Sequence, residues 1–356
     1  MRSVFSNETT QKMPPVIASD LLPVLLAGNN LSHSAACDLM HAIIDGSVGV
    51  ASIAAVAIAL RAKGESVEEM AAFASVMRAR ALHVRGPAGM LDTCGTGGDQ
   101  SDTFNVSTAT ALVVAGMGIP VAKHGGRSSS SKTGSADVLK SLGVNIDASA
   151  ECAERCINEA GIGFMFAPVF HPGMKHVAAV RKELGIRTVF NLLGPLSNPA
   201  QAEFQLLGVY EPSLCEKFAK VLKFLGGRSA MVVCGDGPQG KGPLDEISTF
   251  GTSHIAWLKD GEIALEQVHP QELGFPLAKE DALFAAGPQE SAQIIREILE
   301  GRKSPHRDIV VLNAAAAARV AGKAATWEDG LHLATESIDA GRAQAALQKL
   351  AKISHS

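Results

Sequence analysis

Ile119-Pro120-Val121-Ala122-Lys123-His124-Gly125-Gly126-Arg127 is the stretch that decides the fold. A short apolar run, Ile119 to Ala122, gives way at once to cations and glycines. After a serine-rich loop, a periodic run from Ser135 to Leu142 predicts a helix. Strand, polar loop and helix in succession form the repeating unit of a parallel α/β sheet. The same rhythm continues outward. Gly143–Ile146, Gly163–Phe166, Leu206–Tyr210 and Met231–Cys234 read as strands, with Ser107–Gly116, Ala150–Ala160 and Ser213–Leu225 as helices among them. The expected fold is a large α/β domain with a mostly parallel central sheet. Asp308 to Lys352 is alanine-rich and helical, and Gly235 to Pro243 is the loosest loop.

Upstream the pattern is different. Ser34 precedes a periodic run ending at Gly46, and a second runs from Val50 to Lys63 and stops at Gly64. Ser66-Val67-Glu68-Glu69 has the form of a capping box and starts a third helix. Gly86-Pro87-Ala88-Gly89 ends this helical region, so a boundary is expected near residue 88.

Bulk properties narrow the function. The chain has 356 residues, 46% of them apolar, which suits two or three domains. A net charge of −4 argues against a nucleic-acid or anionic-membrane surface, and 4% aromatics argue against base stacking. Cys37, Cys94, Cys152, Cys156, Cys215 and Cys234 form no C-x-x-C pair and read as small buried or half-buried thiols of a reducing, cytoplasmic compartment. The first thirty residues lack a signal pattern. The longest apolar stretch, Val48 to Leu60, falls short of the roughly 20 residues of a membrane span.

Chemistry gathers in a few places. Asp92-Thr93-Cys94-Gly95-Thr96-Gly97-Gly98-Asp99 precedes Asn105-Val106-Ser107-Thr108, which opens a helix. Glycines let the backbone approach an anion, successive N–H groups can form a nest, and a helix start adds donors and dipole. The spacing is neither a P-loop nor a dinucleotide fingerprint. Lys123, Arg127, the hydroxyls of Ser128, Ser129, Ser130 and Ser131, and Ser135 at a helix start form a second phosphate-gripping set. Asp245-Glu246 suits Mg²⁺, which takes one or two carboxylates together with phosphate oxygens and water. An acidic pair is also common on any surface. His171 taken alone reads as a structural hydrogen-bonding residue, and Arg181 as a surface charge.

Taken in order, these segments resemble the anthranilate phosphoribosyltransferases over nearly the whole chain. The match includes Asp92 to Asp99, Asn105 to Thr108, Lys-His-Gly-x-Arg from Lys123 and Gly134 to Leu139. It continues through Gly185 to Pro195 and Leu244 to Ser248. The resemblance implies a nucleoside phosphorylase/phosphoribosyltransferase-like architecture. Residues 1–88 and about 178–204 would form a small all-helical, dimer-forming domain, and residues 89–177 and 205–356 the large α/β domain. It implies transfer of phosphoribose from phosphoribosyl pyrophosphate to the amine of anthranilate, with two Mg²⁺ ions, in tryptophan biosynthesis.

Carried over by residue, the donor substrate would meet Gly95, Gly98, Asp99, Thr103, Asn105, Val106, Ser107 and Thr108. It would also meet Lys123, His124, Gly125, Gly126, Arg127, Ser128 to Ser131 and Ser135. Arg181 would meet the anthranilate carboxylate, with Gly95, His124, Gly126 and His171 nearby. Ser107, Asp245 and Glu246 would hold metal. No residue is expected to be indispensable as an acid or base, because the leaving pyrophosphate is stabilised by charge and the aromatic amine is already neutral. Three positions depart from the family's usual residues: Gly126 stands where asparagine is usual, Gly173 where alanine is common and Ser291 where asparagine is common. Two rival readings are a pyrimidine nucleoside phosphorylase and a non-catalytic nucleic-acid-binding relative. The retained glycine motif and the acidic charge disfavour the second.

Overall fold

The computed structural model describes residues 18–99, 101–127 and 133–356. Helices come first: α1 (Ala18–Leu26), α2 (His33–Ile44), α3 (Val50–Lys63) and α4 (Val67–Ala79). The predicted capping box is present. The Ser66 side chain accepts the Glu69 N–H, and the Glu69 carboxylate accepts the Ser66 N–H at 2.8 Å. Glu69 is fully buried, yet it also accepts the Leu31 N–H and pairs with Lys63 at 2.9 Å. A buried carboxylate satisfied in this way ties the approach to α2 to the start of α4.

The sheet contains β1 (Leu91–Gly95), β2 (Val121–Gly125), β3 (Ile162–Phe166), β4 (Phe204–Gly208), β5 (Ser229–Gly235), β6 (Ser253–Lys259) and β7 (Glu262–Val268). Their spatial order is β3-β2-β1-β4-β5-β6-β7. The pairs from β3 to β5 are parallel, whereas β6 and β7 add antiparallel at one edge. Asp260 and Gly261, both at positive φ, make the two-residue turn between β6 and β7. The helices that follow β1 are α5 (Val106–Gly116), α6 (Ser135–Ser141), α7 (Ala150–Ala160), α8 (Ala167–Phe170), α9 (Lys175–Leu184), α10 (Val189–Leu192) and α11 (Ser213–Phe224). After β7 come α12 (Pro288–Leu299), α13 (Pro305–Val320), α14 (Trp327–Asp339) and α15 (Arg342–Ser354).

Alternation along the strands divides the core. Leu206, Met231 and Val233 face one apolar cluster, which they share with residues of α5, α7, α13 and α15. Leu207, Val232 and Cys234 face the other, continuous with α11 and the N-terminal helices. α9 and α10 lie against α3, so the chain returns to its first helices between β3 and β4. Gly173 belongs to this contact. A Cβ there would sit 2.5 Å from Ile44 Cγ2 and 3.2 Å from the Ile44 carbonyl, so the glycine is matched to a bulky isoleucine at the end of α2.

One predicted strand is absent. Gly143 to Ile146 is a loop that begins with Gly143 at φ 90° just after α6. Val144 and Ile146 are buried, so the alternation was real. The backbone, however, does not join the sheet: the Asn145 N–H donates to Ser354 Oγ at the end of α15.

Candidate active site

In open α/β sheets, ligands sit beyond the carboxyl ends of strands where the strand order reverses. Here that point lies between β1 and β4, with β2 and β3 on one side and β5 on the other. Both strands end on glycine because Asp245 presses against them. A Cβ on Gly95 would lie 2.2 Å from Asp245 Oδ2, and one on Gly208 would lie 1.5 Å from the Asp245 carbonyl oxygen. This close approach brings the Asp245-Glu246 pair up against the glycine-rich loop.

The resulting cleft brings together most of the residues singled out in the sequence. Gly95, Asp99, Thr103, Asn105, Val106 and Ser107 line one part of it, and Lys123 to Arg127 with Ser135 another; Asp245 and Glu246 complete it. Gly98, Thr108, His171 and Arg181 are not among the lining residues. Ser128 to Ser131 lie outside the described residues.

Each lining element has a physical reason for its place. Asn105 caps α5, accepting the Thr108 N–H at 3.0 Å, and its amide donates to the Thr133 carbonyl at 2.6 Å. Thr108 is therefore part of the helix start, with its side chain buried. Ser291, buried beneath the loop, accepts the Asn105 N–H at 2.9 Å, which gives this departure from the family pattern a defined job. The first turn of α5 therefore opens on the cleft, a setting that favours anions. The Lys123 ammonium is buried and donates to the Thr93 carbonyl at 2.7 Å and to Ser107 Oγ at 3.3 Å.

Opposite lies an acidic cluster. Asp245 Oδ2 accepts the Gly97 N–H at 2.8 Å. Burial first, and then the charge of Asp99, pushes the Asp245 carboxyl up to about 7. Burial and Asp245 push Glu246 well above the usual carboxylate range. Asp99 is raised by burial and braced by Ser101 Oγ at 2.6 Å. Buried carboxylates that repel one another in this way suit a cation shared with a ligand. Among the described residues, no three His, Cys, Asp or Glu side chains form a complete metal cage.

The two histidines form a pair. Their rings meet edge to face with centroids 5.1 Å apart. The Gly194 carbonyl beside the His124 ring and the Ser197 carbonyl beside the His171 ring each favour the protonated ring. Nε2 of each ring is buried without a partner among the described residues. Burial, then the neighbouring His171, pulls His124 down to about 3, and burial pulls His171 down to about 4. Groups with depressed folded pKa values give stability that is full above the unfolded value of about 6.5 and is lost as pH falls through the folded values. The stability advantage of the wild type over His171→Gln should therefore shrink by a few kcal/mol as pH falls from 7 to 4.5, read from urea midpoints. A gap independent of pH would show that this ring is not what titrates.

Sequence reasoning missed the residues that join these parts. Arg187 donates to the Thr96 carbonyl at 3.0 Å and stacks on Tyr210, 4.4 Å from the ring centroid. It lies so close to Gly98 that a Cβ there would be 1.9 Å from Nη1. The segment Gly194 to Ser197 is held by Gln205, which donates to the Pro195 carbonyl, and by Arg78, which donates to the Leu196 carbonyl, while its ends, Gly194 and Ser197, face His124 and His171. Gly185 to Pro195 had been noticed only as part of a motif. A glycine ending each of β1, β2, β4 and β5 was the available signal for the site's rim.

Comparison with known proteins agrees with this geometry. Residues 19–81 match the helical bundle domain of the glycosyl transferase family, and residues 87–344 match its a/b domain. An anthranilate phosphoribosyltransferase from Rhodospirillum rubrum is 47% identical over 348 residues, covering 97% of this chain and 98% of the relative. The chain belongs to the anthranilate phosphoribosyltransferase family. Among solved structures, the anthranilate phosphoribosyltransferase from Thermus thermophilus superposes with a TM-score of 0.87 at 38% identity, covering 95% of this chain and all of that one. The anthranilate phosphoribosyltransferase from Saccharomyces cerevisiae, solved in complex with PRPP and Mg, gives 0.85 at 28% identity and covers 95% and 98% of the two chains. The small helical region and the mostly parallel sheet are thus the architecture of anthranilate phosphoribosyltransferases.

Proposed function

We propose that this enzyme transfers the phosphoribosyl group of phosphoribosyl pyrophosphate to the amine of anthranilate, releasing pyrophosphate, in tryptophan biosynthesis. The observation that carries the reading is the cleft at the strand-order reversal. There a buried ammonium, the first turn of α5 and two carboxylates meet over a glycine floor. Lys123, the α5 start and the loop from Gly125 to Ser135 hold the phosphates. Asp245, Glu246 and Ser107 fit Mg²⁺, because they line the same cleft and burial and mutual repulsion hold the two carboxyls above their usual range despite Arg187 and Lys123 nearby. Two ions are assigned there; when bound, they supply positive charge against the departing pyrophosphate.

Arg181 meets the anthranilate carboxylate. It is half-buried, and burial and then the charge of Arg187 lower its pKa, with no carboxylate opposing them. An anionic substrate supplies the missing counter-charge. His124, His171 and Gly126 complete the acceptor side, and neither histidine is needed as an indispensable acid or base. Neutral rings with low pKa values agree with that role. The small helical domain comprises residues 1–88 and about 178–204, and the large domain the rest. A homodimer forms through the helical part, where Leu26, Val50 and Ile58 are exposed on α1 and α3. The enzyme works in the cytoplasm; its six cysteines are free, and among the described residues no helix is long and apolar enough to cross a membrane.

The test mixes protein, Mg²⁺, phosphoribosyl pyrophosphate and anthranilate and follows the loss of anthranilate fluorescence. No loss at saturating substrate overturns the reading. A second measurement addresses Gly126. Its backbone lies outside the left-handed region, and among the described residues a Cβ there would meet only Ala167 Cβ, at 3.9 Å. Gly126→Asn should therefore fold normally and restore an amide beside the acceptor. KM for anthranilate should fall about 3- to 10-fold, the worth of one neutral hydrogen bond, with KM for the donor unchanged. An unchanged anthranilate KM would show that the glycine gave up nothing.

A further inference from the structure

The segment Gly194 to Ser197, which faces both histidines, runs directly into Asn198, and Asn198 reaches a carboxylate that the proposed reaction does not use. Asp92 on β1 is fully buried, and Asn198 is nearly so. Asp92 Oδ1 accepts the His124 N–H at 3.2 Å, and Oδ2 accepts Asn198 Nδ2–H at 2.7 Å. The Asn198 amide also donates to the Ala122 carbonyl at 2.8 Å, and its oxygen accepts the Ala200 N–H at 2.8 Å. Two side chains thus hold the β2 backbone on either side of Lys123. The same carboxylate faces the Lys123 ammonium and the buried guanidinium of Arg78 on α4.

We propose that Asp92 and Asn198 are positioning residues that set the Ala122–His124 backbone, and so aim Lys123 at the phosphates and His124 at the acceptor in one movement. The inference rests on the transferase reading above. The choice of residue types supports it. The carboxylate accepts twice, once from a backbone N–H and once from an amide, whereas an asparagine at 92 has one accepting oxygen and would turn its N–H toward either the His124 N–H or Asn198 Nδ2–H. Such a mismatch would be buried, where unmade hydrogen bonds cost most. Neither residue lines the cleft, so their influence passes through the backbone they hold. Displacements well under 1 Å at a reacting group are enough to cost rate.

The test is a reciprocal exchange. Asp92→Asn and Asn198→Asp each leave a mismatched pair. The double exchange restores one donor facing one acceptor at the Asp92–Asn198 contact, with the same charge and volume, but sets a carboxylate oxygen against the Ala122 carbonyl that Asn198 now donates to. Each single variant should lose at least tenfold in kcat/KM for both substrates, with the loss in kcat as well as KM, while near-ultraviolet circular dichroism still reports native packing. The double variant should regain part of that loss, because the Asp92–Asn198 contact and the His124 N–H bond return while the bond to Ala122 does not. If the single variants do not fold, a folded double variant with near-wild-type kcat supports the proposal through rescue alone. Backbone amide exchange at His124 in Asn198→Ala, with faster exchange expected, serves if the double variant also fails to fold. A folded double variant no better than the single ones, single variants with unchanged kinetics, or unaltered exchange at His124 overturns it. Wild-type protein assayed alongside keeps this apart from the parent reading: an inactive wild type sinks the reaction, and an active wild type with indifferent variants sinks only the positioning role.

Discussion

Asp245→Asn is expected to lower kcat/KM for phosphoribosyl pyrophosphate by about 10²–10³-fold while the protein stays folded, the scale of losing one preorganised charge in a site of this kind. The shape is conserved, since an asparagine oxygen can still accept the Gly97 N–H that Asp245 accepts at 2.8 Å. Only the charge goes. In metal-free protein, burial and Asp99 hold the Asp245 pKa near 7, far above its unfolded value of about 3.8. For an acid raised in this way, stability is full below the unfolded value and is lost as pH rises through about 7. With chelator at pH 8, the variant should therefore melt no lower than wild type, and above it if Asp245 alone carries the strain. Full activity in the variant, or a lower melting point at pH 8 together with an unchanged one at pH 5, would contradict both the metal role and the electrostatic account.

Gly208→Ala should abolish activity by geometry where Asp245→Asn does so by charge. The added carbon would lie 1.5 Å from the Asp245 carbonyl oxygen, 2.3 Å from its carbonyl carbon and 3.0 Å from its Cα. All three are backbone atoms, so no side chain can turn aside to make room. Either the end of β4 or the Leu244-Asp245-Glu246 segment must move. A cost of about 4 kcal/mol or more is expected, at the severe end for a single substitution. The Thr96 N–H bond to the Gly208 carbonyl, 2.9 Å, would be strained by the same movement. Equilibrium unfolding in urea measures the stability loss, and isothermal titration with Mg²⁺ and pyrophosphate measures the loss of binding in whatever remains folded. Wild-type affinity would show that the carboxylates do not depend on that strand end.

Much of this fold was readable before any coordinates. α3 and α7 run over the residues expected, Val50–Lys63 and Ala150–Ala160, because glycine or serine signals stand at their ends. β2, β3, β4 and β5 were found within a few residues, each carried by a buried apolar run. β1 was not read as a strand, because Asp92, Thr93 and Cys94 do not look like a central strand. They are tolerated there because their polar atoms meet Asn198, the Ser107 carbonyl and Gln205. The β6–β7 hairpin was missed although Asp260-Gly261 announces it; seven-residue strands with Lys259, Glu262 and Gln267 at exposed positions hid the pattern. At the site, residue types pointed to the phosphate-gripping loops, whereas Arg187, Asn198 and Gly208 act through distances across the chain that no local pattern encodes.

The side chains converging on Gly194–Ser197 also carry a kinetic consequence. The Arg78–Leu196 bond alone closes 118 residues of chain, and its partner bonds draw on strands and helices that must already exist. Closing loops of that length is entropically costly, so local helices and neighbouring strands should assemble first and this junction should close late. Contacts absent from the folding transition state govern how fast a protein comes apart rather than how fast it forms. The segment is then a latch on the native state: weakening Arg78 or Gln205 should hasten unfolding several-fold while refolding proceeds at nearly its usual pace.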